Sequence, residues 1–139
     1  MIRLTRRYRF PAAHVLCNPS LPEEENRRIF GKCANPQGHG HDYGVEVSVE
    51  GPLDAETGGL VSLELLDAIF DEAVRERFSH RMLNEVSPFA GGPVPTAENI
   101  AVVVHDALAE PIARRSGARL AAVRVIETER NTFEYGEMR

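Results

Sequence analysis

The stretch HDYGVEVSVEG, residues 41–51, alternates apolar and polar side chains more cleanly than any other part of the chain. Tyr43, Val45, Val47 and Val49 share one parity, and Asp42, Glu46, Ser48 and Glu50 share the other. A period of two is the signature of a β-strand with one face in an apolar core. Sliding such a strand by one residue would bury its carboxylates, so the run requires a sheet with two unlike faces.

Other segments supply its partners. IRLTRRYRF, residues 2–10, puts Ile2, Leu4, Tyr8 and Phe10 on one parity and reads as a strand. Residues 15–38 carry Pro19, Pro22 and Pro36 among polar side chains and read as a long loop, a length that in a compact domain is often functional. Leu66, Ile69, Phe70, Ala73, Val74 and Arg77 follow helical spacing, with Arg77 at the exposed end of the apolar stripe. A second helix has Ile100, Val103, Val104, Ala107, Leu108 and Ile112 on one face, Thr96 placed to cap it and Glu98 in its first turn. Pro111 is expected to kink or shorten that helix. RLAAVRVIETE reads as a strand and NTFEY, after a turn at Arg130-Asn131, as its short partner. The order is β-β-α-α-β-β, an α+β domain over residues 1–139 with two helices on one face of a four-stranded antiparallel sheet. The opposite face is polar, suited to water or to a channel between subunits.

A formal net charge of −5 opposes general nucleic-acid binding, which needs a basic face, yet a local cluster could still hold one small anion. The N-terminal MIRLTRRYRF lacks the apolar core of a signal peptide, and no run approaches the roughly 20 apolar residues of a membrane span. Cys17 and Cys33 are the only cysteines and read as free thiols in a reducing, cytoplasmic setting.

When two strands pair antiparallel, the end of the first lies beside the start of the second. His14 shares the parity of Phe10, and His39 and His41 that of Tyr43, so three imidazoles converge at the base of the long loop. Three histidines are a recurrent catalytic zinc set that leaves the fourth tetrahedral position to water or substrate. Taken singly, each is more simply a surface or hydrogen-bonded ring; the reading rests on the cluster. Cys33 follows Lys32 in the same loop, and a nearby cation or metal would lower its pKa and free the thiolate as base or nucleophile. A fourth metal ligand and a small buried group are the other readings of that thiol. Glu127 has the parity of Val123 and Val125 and is expected on the apolar side, where a carboxylate needs donors. A ligand edge with adjacent N–H groups, as on a guanine or pterin, would satisfy it; so would Arg124, Arg130 or exposure at the strand end. On the residues alone, Glu98 and His80 are explained by helix-terminus electrostatics, Cys17 is structural, and His105 lies on the polar side of the second helix.

Taken together, FPAAH, CANPQGHGHDYGVEVSVEG, SHRMLN, PTAENIA and VIETERNTFEY, from about Arg9 to Tyr135, resemble the 6-pyruvoyltetrahydropterin synthase family. That family includes the 6-carboxytetrahydropterin synthases of queuosine biosynthesis. The resemblance implies the tunnelling fold: sheets joined around a trimeric barrel, two trimers stacked into a homohexamer, and active sites at subunit interfaces. It implies that His14, His39 and His41 hold Zn2+, that Cys33 is the catalytic base, and that His80 works with it in proton transfer. Glu127 would anchor the pterin ring, with Thr96 and Glu98 lining its pocket. The implied substrate is a small molecule, 7,8-dihydroneopterin triphosphate, and the implied activity that of a lyase. Loss of triphosphate with rearrangement gives 6-pyruvoyltetrahydropterin, toward tetrahydrobiopterin; carbon–carbon cleavage with loss of acetaldehyde gives the 6-carboxy product. The spacing from Cys33 to His39 matches the pyruvoyl-forming enzymes, and Arg27, Arg28 and Lys32 are candidates to hold the triphosphate.

Two positions depart from the family pattern. An Asp usually precedes the histidine matched by His80; here Ser79 stands there and supplies no charge to orient the ring. Leu63 occupies a position where Asp or Asn is usual. The altered relay leaves open a shifted reaction, such as side-chain cleavage of dihydroneopterin itself, or a non-catalytic pterin-binding protein. The retained Cys33 argues against the latter, because a binder has no need of a low-pKa thiol.

Overall fold

The computed structural model describes residues 1–137. Strands β1 (Ile2–His14), β2 (His39–Gly51), β3 (Arg119–Ile126) and β4 (Thr132–Gly136) form one sheet in the order β1-β2-β3-β4, every neighbouring pair antiparallel. Helix α1 (Glu23–Phe30) lies between β1 and β2; α2 (Leu63–Phe70), α3 (Glu76–Phe78) and α4 (Ala97–Ser116) lie between β2 and β3. A wider helical turn, Asp71–Arg75, joins α2 to α3. No helix among the described residues is long and apolar enough to cross a membrane.

The apolar parities found in the sequence become the core. Phe10, Tyr43, Val45, Val47, Val123 and Val125 pack on one sheet face against Leu66, Ile69 and Phe70 of α2 and Ile100, Val104, Leu108 and Ile112 of α4. Fully burying one such large side chain contributes about 1.5–3 kcal/mol, so the row of four on α4 is what docks that helix. Thr96 caps α4 by accepting from the Asn99 N–H at 3.2 Å, and Gly117, in the left-handed region, ends it. The helix is not shortened at Pro111: it runs 20 residues through it. One lost backbone bond is outweighed by the packing of Leu108 and Ile112 on either side of the proline.

The long loop is more ordered than its prolines suggest. Glu23, Glu24 and Glu25 open α1 and Arg27 and Arg28 close it, matching the helix dipole. Glu23–Arg27 and Glu25–Arg28 pair along its surface at 2.8 and 2.6 Å. Buried Asn26 ties the loop together, accepting from the Asn18 N–H at 2.8 Å and donating to the carbonyls of Asn18, Leu21 and Pro22. β1 likewise continues past Phe10 to His14. Pro11 is tolerated because β1 is an edge strand and the proline's missing donor faces outward, the side on which its carbonyl accepts from the His80 N–H. β3 stops at Ile126 rather than Glu129; Glu127 N–H donates to Asn131 O and Thr128 Oγ1 accepts from Arg130 and Asn131, closing the turn to β4.

The polar sheet face is built of charge rows. One row crosses all four strands as Arg7, Glu46, Arg124 and Glu134, with contacts of 2.7, 3.3 and 3.0 Å. A second joins Arg3, Glu50 and Arg119, and Arg119 reaches Glu137 at 2.9 Å. Glu46 and Glu50 are buried only because arginine side chains lie over them from both sides.

Candidate metal centre and active site

The register of β1 on β2 decides what meets at their joint end. His14 lies opposite His39, Ala12 opposite His41, and Phe10 opposite Tyr43, all on the core-facing side. Gly38, with φ +75°, turns the loop into β2; a side chain there would strike the Met82 side chain at 2.7 Å and the His14 carbonyl at 3.2 Å. The three rings of His14, His39 and His41 stand 4.6, 5.2 and 4.9 Å apart by centroid.

One ring nitrogen from each histidine lies within 4.8 Å of the others, and Nε2 of His14 is 3.0 Å from Nε2 of His39. Tetrahedral zinc with Zn–N bonds of about 2.0–2.1 Å spaces its nitrogens by about 3.3 Å, within the span seen here. His14 is 1% exposed, and its Nδ1 lies 2.7 Å from the Pro95 carbonyl. A carbonyl can only accept, so Nδ1 carries the hydrogen and the Nε2 lone pair faces the other two rings. Burial pushes the His14 pKa down to about 4, with the Pro95 carbonyl opposing and the two neighbouring histidines adding to the fall. Burial and then His41 lower His39 as well, against the pull of Glu127. The neutral rings are the ligating form, and this donor set fits zinc with one position open.

The other predicted residues gather around this centre unequally. Cys33, half-buried in the short helical turn Gly31–Ala34, is anchored where its carbonyl accepts from the Leu16 N–H at 2.8 Å. Burial is what chiefly pushes the Tyr43 hydroxyl up, with Glu127 and then Cys33 adding to the rise. That hydroxyl lies 3.3 Å from His14 Nδ1, which ties Cys33, Glu127 and the histidines to one neighbourhood. Glu127 follows the last residue of β3 at the level of Tyr43 and is half-buried rather than enclosed in the core. Neither Arg124, which pairs with Glu46 and Glu134, nor Arg130 bonds to its carboxylate among the described residues.

His80 is exposed at the outer edge of β1, with φ +59°, unusual for a residue other than glycine. It shares a cleft of about 530 Å³ with Pro11, His41, Asp42 and Met82. Ser79 precedes it at the end of α3. Thr96 is engaged as the α4 cap, and Glu98 is exposed in the first turn. Arg27 and Lys32 line a second cleft of about 550 Å³ with Asn35 and Pro36; Arg27 also pairs with Glu23, and Arg28, outside the cleft lining, with Glu25. His105 stacks edge-on against Tyr135, and Cys17 is a free, half-buried thiol.

Sequence reasoning misses Pro95, Asn84 and the hydroxyl of Tyr43. Pro95 works through a carbonyl that any residue possesses, and Asn84 grips the backbone of Val15 from 69 residues away. Tyr43 shows in the sequence only as an apolar position of β2; its polar tip beside two histidines is the one available hint.

A model of the family described as 6-pyruvoyl tetrahydropterin synthase matches residues 3–138. Human 6-pyruvoyl tetrahydrobiopterin synthase is 38% identical over 133 residues, which cover 96% of this chain and 90% of the human one. The Drosophila melanogaster protein of the same name is also 38% identical over 133 residues, covering 95% of this chain and 77% of its own. The solved structure of Caenorhabditis elegans 6-pyruvoyl tetrahydropterin synthase superposes with a TM-score of 0.87 at 30% identity, over 99% of this chain and 96% of that one. Match length, identity and backbone agree, and the chain belongs to the 6-pyruvoyl tetrahydropterin synthase family.

Proposed function

We propose that this protein is a zinc-dependent lyase that converts 7,8-dihydroneopterin triphosphate to 6-pyruvoyltetrahydropterin. The observation that carries the reading is the convergence of His14, His39 and His41 at the joint end of β1 and β2, one ring nitrogen from each within 4.8 Å of the others. The names of the human and Drosophila relatives favour the pyruvoyl product over the carboxy one.

Each side chain then has a task its surroundings suit. Glu127, half-buried and without an arginine partner among the described residues, accepts two N–H bonds from the pterin edge. His14, His39 and His41 hold the zinc, which when bound polarises the hydroxyls of the substrate side chain and acidifies the adjoining C–H bonds. Cys33 takes up a proton as the thiolate and His80 delivers one from the cleft it shares with His41. Arg27 and Lys32 contact the triphosphate, Lys32 having no carboxylate partner among the described residues; Thr96 and Glu98 line the pterin side. The working assembly is a homohexamer of stacked trimers in the cytoplasm. The arginine-rich first part of β1, ahead of the stretch covered by His80–Met82, and β4, which carries Glu134, are the two sheet edges, and pairing them between copies would continue the Arg7–Glu134 charge row around a ring. Ser79, which brings no charge to His80, favours one second reading: side-chain cleavage of dihydroneopterin itself.

Incubating the zinc-loaded protein with dihydroneopterin triphosphate and weighing the products tests this. Inorganic triphosphate with a pyruvoyl product is expected; acetaldehyde release would assign the carboxy branch, and binding without turnover would leave a pterin-binding protein. Cys33→Ala should abolish turnover and keep the metal. Loss of zinc from that variant would make Cys33 a ligand and not a base.

A further inference from the structure

The segment that carries His80 is fastened to the outer edge of β1 by four hydrogen bonds, two of them from one side chain. His80 N–H donates to Pro11 O at 2.7 Å, and Ala13 N–H donates to Arg81 O at 2.9 Å. Ala13 and Met82 are thereby bridged in parallel. Farther along, Val15 N–H donates to Asn84 Oδ1 and Asn84 Nδ2 donates to Val15 O, both at 2.8 Å. A carboxamide offers an acceptor and donors in one rigid plane, as a peptide group does. The Asn84 side chain therefore extends the pairing past Met82, where the helical turn Leu83–Glu85 carries the backbone away from β1.

We propose that Asn84 is a positioning residue for His80, locking the turn that presents this ring to the substrate. His80 holds a backbone conformation that L side chains rarely adopt, and such a conformation persists only where surrounding contacts over-determine it. His80 itself is held by its N–H bond to Pro11; on its C-terminal side the bond from Ala13 N–H to Arg81 O comes first, and the Asn84 clamp anchors the segment beyond it. His14, one residue before the clamped Val15, is held independently by its pairing with His39 and by the Pro95 carbonyl. Releasing Asn84 therefore leaves the His80 turn held only by the Pro11 and Arg81 bonds, and loosens it while leaving the three-histidine centre in place.

The inference rests on the proton-transfer role proposed for His80, and its test separates the two. In Asn84→Ala, amide hydrogen exchange at His80 and Ala13 should accelerate on the order of tenfold while amides of the β2–β3 pairing keep their rates. Zinc affinity should stay within about threefold, because the ligands are fixed elsewhere. With dihydroneopterin triphosphate, kcat should fall on the order of tenfold or more and KM hold, the signature of a misplaced proton donor. Unchanged exchange at His80, or equal loss of protection across β2–β3, overturns the assignment; so does a fall in zinc affinity matching the fall in kcat. A wild-type protein inert toward the triphosphate would defeat the proposed function, and the exchange result would still decide whether Asn84 holds the turn.

Discussion

Acidifying the metal-free protein offers a direct probe of how the histidine centre is built. His14 is buried as a neutral ring with its pKa pushed from 6.5 to about 4, while the unfolded chain takes up a proton near 6.5. Between those values the unfolded state binds more protons, so the contribution of this ring to stability is intact above pH 6.5 and is lost as the pH falls toward 4. Integrating the difference gives a loss of about 2 kcal/mol between pH 7 and pH 5, approaching about 3 kcal/mol at pH 4. Urea unfolding in the presence of a chelator, at pH 7, 6 and 5 and one protein concentration, measures it for the wild type and for His14→Gln. Carboxylate pairs lose stability in both proteins, so the quantity of interest is the difference between the two pH profiles. The wild type should lose about 2 kcal/mol more than the variant by pH 5. Parallel profiles would refute the claim that burial of a neutral imidazole prepares this centre. Zinc at about a hundredfold its Kd should add about 2.7 kcal/mol to the wild type near neutral pH, and that gain should disappear over the same acid range.

Three further perturbations test other links. Glu46→Gln removes a buried charge bridged by Arg7 and Arg124; because both arginines retain access to water, the expected cost is about 1–2 kcal/mol in urea unfolding, and no change would mean the charge row is decorative. Thr96→Ala should cost about 1 kcal/mol by exposing the Asn99 N–H at the start of α4; a cost near zero would show that α4 is held by its packing alone. Ser79→Asp should raise kcat on dihydroneopterin triphosphate by placing a negative charge beside His80, and an unaltered rate would indicate that the backbone clamp already orients the ring.

The parts of this molecule legible in the chain are those whose signal is local. Alternation from Tyr43 to Val49 names the buried face of β2, helical spacing from Ile100 to Ile112 names that of α4, and Thr96 announces the start of that helix. The histidine cluster follows from parity plus one assumption, that β1 and β2 are neighbours. Helix α1 escapes the same reading because its order comes from charge pairs and Asn26, with no apolar stripe for periodicity to find. Glu127 keeps the side of the sheet that its parity names, at the level of Tyr43, but a turn that ends β3 early leaves it half-buried and not enclosed in the core. Tertiary structure alone decided that Pro95 sets the tautomer of His14, that Asn84 holds the His80 turn, and that Arg7, Glu46, Arg124 and Glu134 fall in one row. The reason is physical: hydrophobic period is written in neighbouring side chains, whereas a carbonyl or a strand register acts across dozens of residues and leaves no pattern in the chain.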